Sequence, residues 1–523
     1  MCKVGDCYYY GEGVDADHDR AFEWYSKSAA SGNASGQLQL AYCYYYGHGV
    51  KPNQEKAFYW YEKSAEQGNS TAQYNAGLCY WQGEGVEQDY QKALEWFTKC
   101  AEQNDPFGQF QLARCYHEGN GVTANPAKAV ELFLKSAEQD HSGAQWSLGN
   151  CYLDGIGVEQ SDAKAFEWYL KCANQGDRNG EFEVGRCYEE GRGVKRDLEK
   201  AFEWYTKSAL QRNSYAQAVL GDCYYYGRGT KKDYEQAFEW YWKSARQGRE
   251  LGLLGLSRCY YHGHGVEEDY DAALKGFYQL AEVGDPVAQL YIGYSFYYGL
   301  GVEQDYKTAV EWLHKSAQRG DPDAQIKLAQ CYKLGRGVEQ DFEEAFKWYL
   351  KCAEQHENVD AVFEVGICYY YGRGTKQDYE KGFEWLSEGA EMGDAQAQVL
   401  VGLCYMCGDG VTPDFKKAVA WYTASAEQGN TTGQTELGDC YYNGYGVEQD
   451  YVKAVEWYTK SAEQGDSRAQ FKLGRCHQLG HGVPQNSQHA VEWYTKSSKG
   501  GYAAAEQALK ELGASAPHPK PVL

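Results

Sequence analysis

The sequence predicts an all-α protein, an α-solenoid of about fourteen helix-turn-helix units of 36 residues each. Three observations carry this: a strict period, two apolar stripes of helical spacing in every period, and glycine, Asp-Pro and Asn-Pro punctuation between them. Cys7, Cys43, Cys79, Cys115, Cys151, Cys187, Cys223 and Cys259 are each 36 residues apart. The series skips Ser295, resumes at Cys331 and, after a one-residue insertion near 356–360, continues as Cys368, Cys404, Cys440 and Cys476. A period in the range of about 20–50 residues is the signature of a tandem array and sets the architecture before any local reading.

The repeat array is expected to span residues 1–502. Its first unit is truncated, since Met1 aligns with Gln37 and Gln434, inside the first helix. In the first segment of a unit, Ala469, Leu473, Cys476 and His477 fall on one helical face. Asp105-Pro106, Asp285-Pro286 and Asp321-Pro322 mark its start, a capping carboxylate before a proline whose missing N–H costs nothing there. The second segment begins at Asp450-Tyr451 or Asn125-Pro126, and its stripe runs through Ala454, Val455, Tyr458 and Ala462. Gly444 and Gly465 are expected to close the two helices in the left-handed conformation, and Gly446 to turn the loop sharply. A helix pair cannot bury its own apolar face, so each must stack on the next. Residues 503–513 read as a capping helix and residues 514–523 as a proline-rich extended tail.

Seventy-four acidic against fifty-one basic residues leave a net charge of −23, which disfavours nucleic acid and anionic lipid as partners. No apolar run approaches the roughly 18–20 residues of a membrane-spanning helix, so no membrane insertion is expected. A cytoplasmic location is the expectation, with the ER lumen as the alternative if a signal peptide precedes Met1.

Ala, Leu-Gly, Tyr, Gly-x-Gly-Val, Lys-Ala, Trp-Tyr and a closing Gly-Asp recur in register, as in residues 431–466. This pattern resembles the Sel-1-like repeat family, relatives of the tetratricopeptide repeat, over essentially residues 1–502. The resemblance implies a right-handed superhelix and a non-enzymatic scaffold or adaptor that binds peptide or protein partners in its concave groove. It carries no catalytic residue set, and neither cofactor nor metal is expected. Two rivals follow from it: a lumenal subunit of a membrane-associated degradation complex, and a binder or hydrolase of cell-wall compounds like the bacterial cysteine-rich relatives. Those relatives pair two cysteines per unit, whereas here only Cys100, Cys172 and Cys352 occupy a second column. Columns about 10 Å apart exceed the Cα separation of about 7 Å that a disulfide allows, so reduced, buried thiols are expected.

Cys404 with Cys407, and Cys259 with His262 and His264, have metal-ligand types at short spacing, but no second cluster completes either one. The tryptophan column, Trp457 among its members, is expected to pack against the neighbouring unit. The unit at 250–285, with Leu253 and Gly276 where glutamine and tryptophan belong, is expected to kink or flex.

Positions that pack repeats together stay uniform along the chain, whereas positions that meet a partner are free to vary. Two residues after the cysteine the column varies, and eight of its members are aromatic: Tyr9, Tyr45, Trp81, Tyr225, Tyr261, Tyr297, Tyr370 and Tyr442. In related helix-pair solenoids this end of the first helix faces the concave groove, so these rings are the expected peptide anchors. A second candidate is a basic strip on adjacent loops, Arg192, Lys195 and Arg196 beside Arg228, Lys231 and Lys232, suited to an acidic or phosphorylated segment. The chain is expected to be monomeric.

Overall fold

A computed structural model describes residues 1–513; the expected proline-rich tail at 514–523 lies outside the described residues. Among the described residues there are twenty-nine α-helices and no strand, in repeating pairs such as Ala34–Tyr46 with Gln54–Glu66 and Thr431–Asn443 with Tyr451–Glu463. The chain forms two compact units, Met1–Asp269 and Tyr270 onward, and the division falls between the two helices of the unit expected to kink.

The punctuation acts as the sequence implies. The Asp450 carboxylate accepts from the N–H of Lys453, and that of Asp105 from Phe107 and Gly108, satisfying donors that a helix start leaves open. Gly444 sits at φ 78° and its N–H donates to the carbonyl of Cys440, so the cysteine column's own backbone closes the first helix. The second loop glycine has a further role. A Cβ on Gly446 would lie 2.2 Å from the Phe415 carbonyl of the preceding repeat, and one on Gly229 2.0 Å from that of Leu198. This residue turns the chain and also brings one repeat's loop flat against the helix start of the repeat before it.

The insertion near 356–360 is absorbed by the second helix Phe342–His356, which runs 15 residues instead of the usual 13 and ends with Glu357 left-handed at φ 47°.

In each unit the core is a series of clusters along the stack. In the first unit Leu38, Ala41, Ala57, Tyr61, Ala65, Ala72, Ala76 and Cys79 form one cluster from two successive repeats. In the second, Ala454, Val455, Tyr458, Ala462, Ala469, Leu473 and Cys476 do the same. The expected stripes are therefore the buried ones, and stability accrues between neighbours. Helix Ala503–Glu511 packs on Ser487–Lys499 with Ala505, Ala508 and Leu509 buried.

Two polar columns lock the register. Buried glutamines receive a hydrogen bond from a glutamine thirty residues on, as Gln464 Nε2 to Gln434 Oε1 at 2.9 Å and Gln247 to Gln217 at 2.7 Å. Buried serines donate to the first-turn carbonyl of the same repeat, as Ser64 to Ala34 and Ser244 to Ser214, each at 2.7 Å. Cys100 and Cys172 stand in this serine column and their thiols donate to Ser70 and Ser142 at 3.2 and 3.3 Å. The second cysteine column is thus a set of serine substitutes.

Candidate protein-interaction surface

The aromatic column two residues after the cysteine does not form a row of open anchors. Tyr225, Tyr261, Tyr297 and Tyr370 are buried; Tyr9, Tyr45, Trp81 and Tyr442 are half-buried. The hydroxyls of six of them, Tyr9, Tyr45, Tyr225, Tyr297, Tyr370 and Tyr442, reach the middle residue of the next repeat's Gly-x-Gly loop. Tyr9 pairs with His48 at 2.8 Å, Tyr45 donates to Glu84 at 2.9 Å, Tyr225 pairs with His264 at 2.8 Å and Tyr442 with His481 at 2.7 Å. Tyr370 donates to Asp409, and Arg336 donates to Tyr297. Hydrogen bonding to Glu84, with burial, pushes the Tyr45 phenol up to about 12. The physical reason is that a first helix is covered on more than one side: it packs on its partner within the repeat and on the second helix of the repeat before, and its end meets the loop of the repeat after. These rings serve the last of these contacts.

The open aromatic column lies one residue further on. Tyr10, Tyr46, Tyr226, Tyr298 and Tyr371 end their helices between 43 and 65 % exposed. With the positions one and four residues before the cysteine and eight before it, they form one face, since these offsets cluster within a narrow arc at 100° per residue. On this face, in the first unit, the helices Ala34–Tyr46, Ser70–Gln82 and Pro106–Glu118 enclose a cavity of about 480 Å³. Its walls are Tyr42, Tyr46, Tyr74 and Phe107 with Tyr61 at the floor. Tyr42 and Tyr46 stack at 6.2 Å, and Tyr74 meets Phe107 at 5.7 Å.

The basic strip is partly neutralised. Arg228 pairs with Glu189 at 3.0 Å and Asp222 at 3.5 Å, Arg192 with Glu190 at 2.5 Å, and Arg196 donates to the Glu189 carbonyl. Lys195, Lys231 and Lys232 are exposed. Carboxylates at the end of one first helix thus hold much of the charge that the loop sequences suggest is free.

All eighteen cysteines are free thiols. Burial pushes Cys259 and Cys404 up to about 12, so both stay protonated, and among the cysteines Cys407 alone is exposed. Among the described residues no group of three or more His, Cys, Asp or Glu is placed to hold a metal. His264 instead stacks on Tyr234 at 4.2 Å. The tryptophan column is half-buried between repeats, Trp96 against the cluster of Leu38 to Cys79, and in most repeats a lysine three residues on covers the outer ring face, as Lys207 over Trp204 at 3.7 Å.

The model of the Sel1 repeat matches fourteen successive segments, from residues 1–33 and 34–69 through 431–466 and 467–502. The chain belongs to the Sel1 repeat family. Among solved structures, it is similar to a protective antigen of uropathogenic Escherichia coli with an SLR fold, at 31 % identity and a TM-score of 0.51, over 96 % of this chain and 99 % of that one. It is also similar to a Sel1 repeat protein from Oxalobacter formigenes, at 34 % identity and a TM-score of 0.43, over 59 % of this chain and 89 % of that one. Among curated proteins none matches the sequence. Sel1 and related tetratricopeptide-like repeats generally act as protein-interaction scaffolds and are typically non-catalytic. Among the described residues no helix of this Sel1 protein is long and apolar enough to cross a membrane.

Proposed function

We propose that this Sel1 chain is a non-enzymatic scaffold that holds an extended peptide or helix of a protein partner along the face of its first helices. The observation that carries this reading is the open tyrosine column, present within each unit, with the aromatic cavity between Ala34–Tyr46 and Pro106–Glu118 in the first. Tyrosine offers a large, stiff contact surface with a polar tip at little entropic cost, which makes it a favoured interface anchor. A net charge of −23 favours protein partners over nucleic acid. Eighteen thiols without a disulfide support a reducing compartment, the cytoplasm.

Because Tyr225 and Tyr297 hold repeats together, the informative variants are on the open column. Panning a random peptide library on the wild type and on Tyr46→Ala/Phe107→Ala tests the reading. The expected result is a family of sequences that bind the wild type and lose at least about tenfold on the variant with its helical signal unchanged. Enrichment of no sequence, or equal binding by both, would overturn it.

A further inference from the structure

The first full-length repeats of the two units carry the same tyrosine triad 252 residues, seven periods, apart: Tyr42, Tyr45 and Tyr46 in the first unit, Tyr294, Tyr297 and Tyr298 in the second. The second triad is filled from within. The ammonium of Lys327 lies 5.7, 4.9 and 5.4 Å from the three ring centroids and donates to the Tyr298 hydroxyl at 3.0 Å. Arg336 approaches the same triad from the next loop, donating to Tyr297. Each position has its counterpart in the first unit, and each has lost its cation. Lys327 corresponds to Asn75 and Arg336 to Glu84.

The first triad is therefore the same cradle with its cation removed and its rim charge reversed. Among the described residues Glu84 and Asp105 are the only charged side chains that line it, and both are acidic. Oε1 of Glu84 has no partner among the described residues while its Oε2 accepts from Tyr45, and the Asp105 carboxylate, which caps Phe107 and Gly108, lies beside the Cys100 thiol. Helices Ala34–Tyr46 and Ser70–Gln82 contain no charged residue. At the floor, the Tyr61 hydroxyl has no hydrogen-bond partner among the described residues, whereas the equivalent Tyr241 and Tyr458 donate to Asp222 and Asp439. The aspartate position is taken by Tyr42, whose ring meets Tyr61 edge-on at 5.6 Å.

We propose that the Tyr42–Tyr45–Tyr46 cradle takes a lysine or arginine side chain from a basic segment of a protein partner, in the place that Lys327 occupies in the second unit. The ring faces attract the cation, the two rim carboxylates pair with it, and the acidic surface of the whole chain steers basic segments toward it. This rests on the scaffold reading and supplies the partner's chemistry.

The test uses the full chain and three fluorescein-labelled peptides that alternate glycine with arginine, with citrulline as the neutral isostere, or with glutamate. Saturable binding of the arginine peptide is expected, with the citrulline peptide at least tenfold weaker and the glutamate peptide silent. Asn75→Lys supplies an internal cation as Lys327 does, and is expected to weaken the arginine peptide at least tenfold at an unchanged melting temperature. Tyr46→Ala should do likewise by removing a wall. Arginine-peptide binding that Asn75→Lys and Tyr46→Ala leave unaltered would place the peptide elsewhere on the acidic surface and overturn the proposal. Equal binding of arginine and citrulline peptides, lost in Tyr46→Ala, would overturn it while the scaffold reading stands. Binding of none of the peptides would overturn it too; the scaffold reading then stands or falls on the library result alone.

Discussion

The second glycine of a Gly-x-Gly loop that follows another repeat works under two constraints, and they separate experimentally. Gly446 has φ +70° and no room for a Cβ beside the Phe415 carbonyl; Gly465 has φ +96° and nothing within 4 Å of a Cβ. Gly465→Ala should cost about 1 kcal/mol from backbone strain alone, and Gly446→Ala about 1–3 kcal/mol more from the clash. Urea denaturation of the two variants reads the difference. Thiol labelling is a second test at this scale. Cys407 is exposed, while Cys404, Cys440 and Cys476 are buried with their thiols pushed up to about 12. An aromatic disulfide reagent at neutral pH should modify Cys407 rapidly and those three only on unfolding.

At the scale of the helix, the cap column is mostly Asn or Asp, with His141 as an exception. His141 Nδ1 accepts from the Ala144 N–H at 3.1 Å, and its ring packs on Phe107 and Phe110 at 4.9 and 4.6 Å. Burial holds its pKa below the ordinary 6.5. The unfolded chain therefore takes up a proton first on acidification, and the imidazolium that forms has no acceptor for Ala144. The contribution of this cap is whole above pH 6.5 and is lost as pH falls through the lowered folded value. His141→Asp should flatten this part of the pH dependence, leaving the variant about 1 kcal/mol more stable than wild type near pH 5, as thermal melts would show. The helices, their caps and their buried stripes were legible in the sequence because each is set by local spacing. The open column was not. Tyr46 and Tyr45 are adjacent, equally aromatic and equally variable, and only the contact with the next repeat, which a single-stripe reading omits, distinguishes the exposed ring from the packing ring. The cavity was hidden for a related reason: it depends on Tyr42 and Phe107, which are far apart in sequence and meet only through stacking.

At the scale of the molecule, stability is a sum of neighbour terms, and one repeat is short of several. Where most other repeats have a side-chain cap, a buried glutamine and a tryptophan, the repeat at 251–285 lacks all three, with Arg249 making no side-chain cap bond, Leu253 and Gly276. The two compact units part at Asp269/Tyr270, inside that repeat. A calorimetric scan should accordingly resolve more than one transition, with a van't Hoff enthalpy below the calorimetric one. The charge of −23 adds mutual repulsion that salt screens, so the melting temperature should rise by a few degrees from low to physiological ionic strength.

Near-identical modules in tandem are prone to pairing with the wrong sibling during folding. The links across the loops act against that error, because they differ chemically from step to step. Tyr45 meets a glutamate, Glu189 an arginine, Tyr225 a histidine and Tyr370 an aspartate. Skipping the repeat at 179–213 would set Arg228 against Leu153, which cannot bond it, so the order of the modules is written in part into their joints.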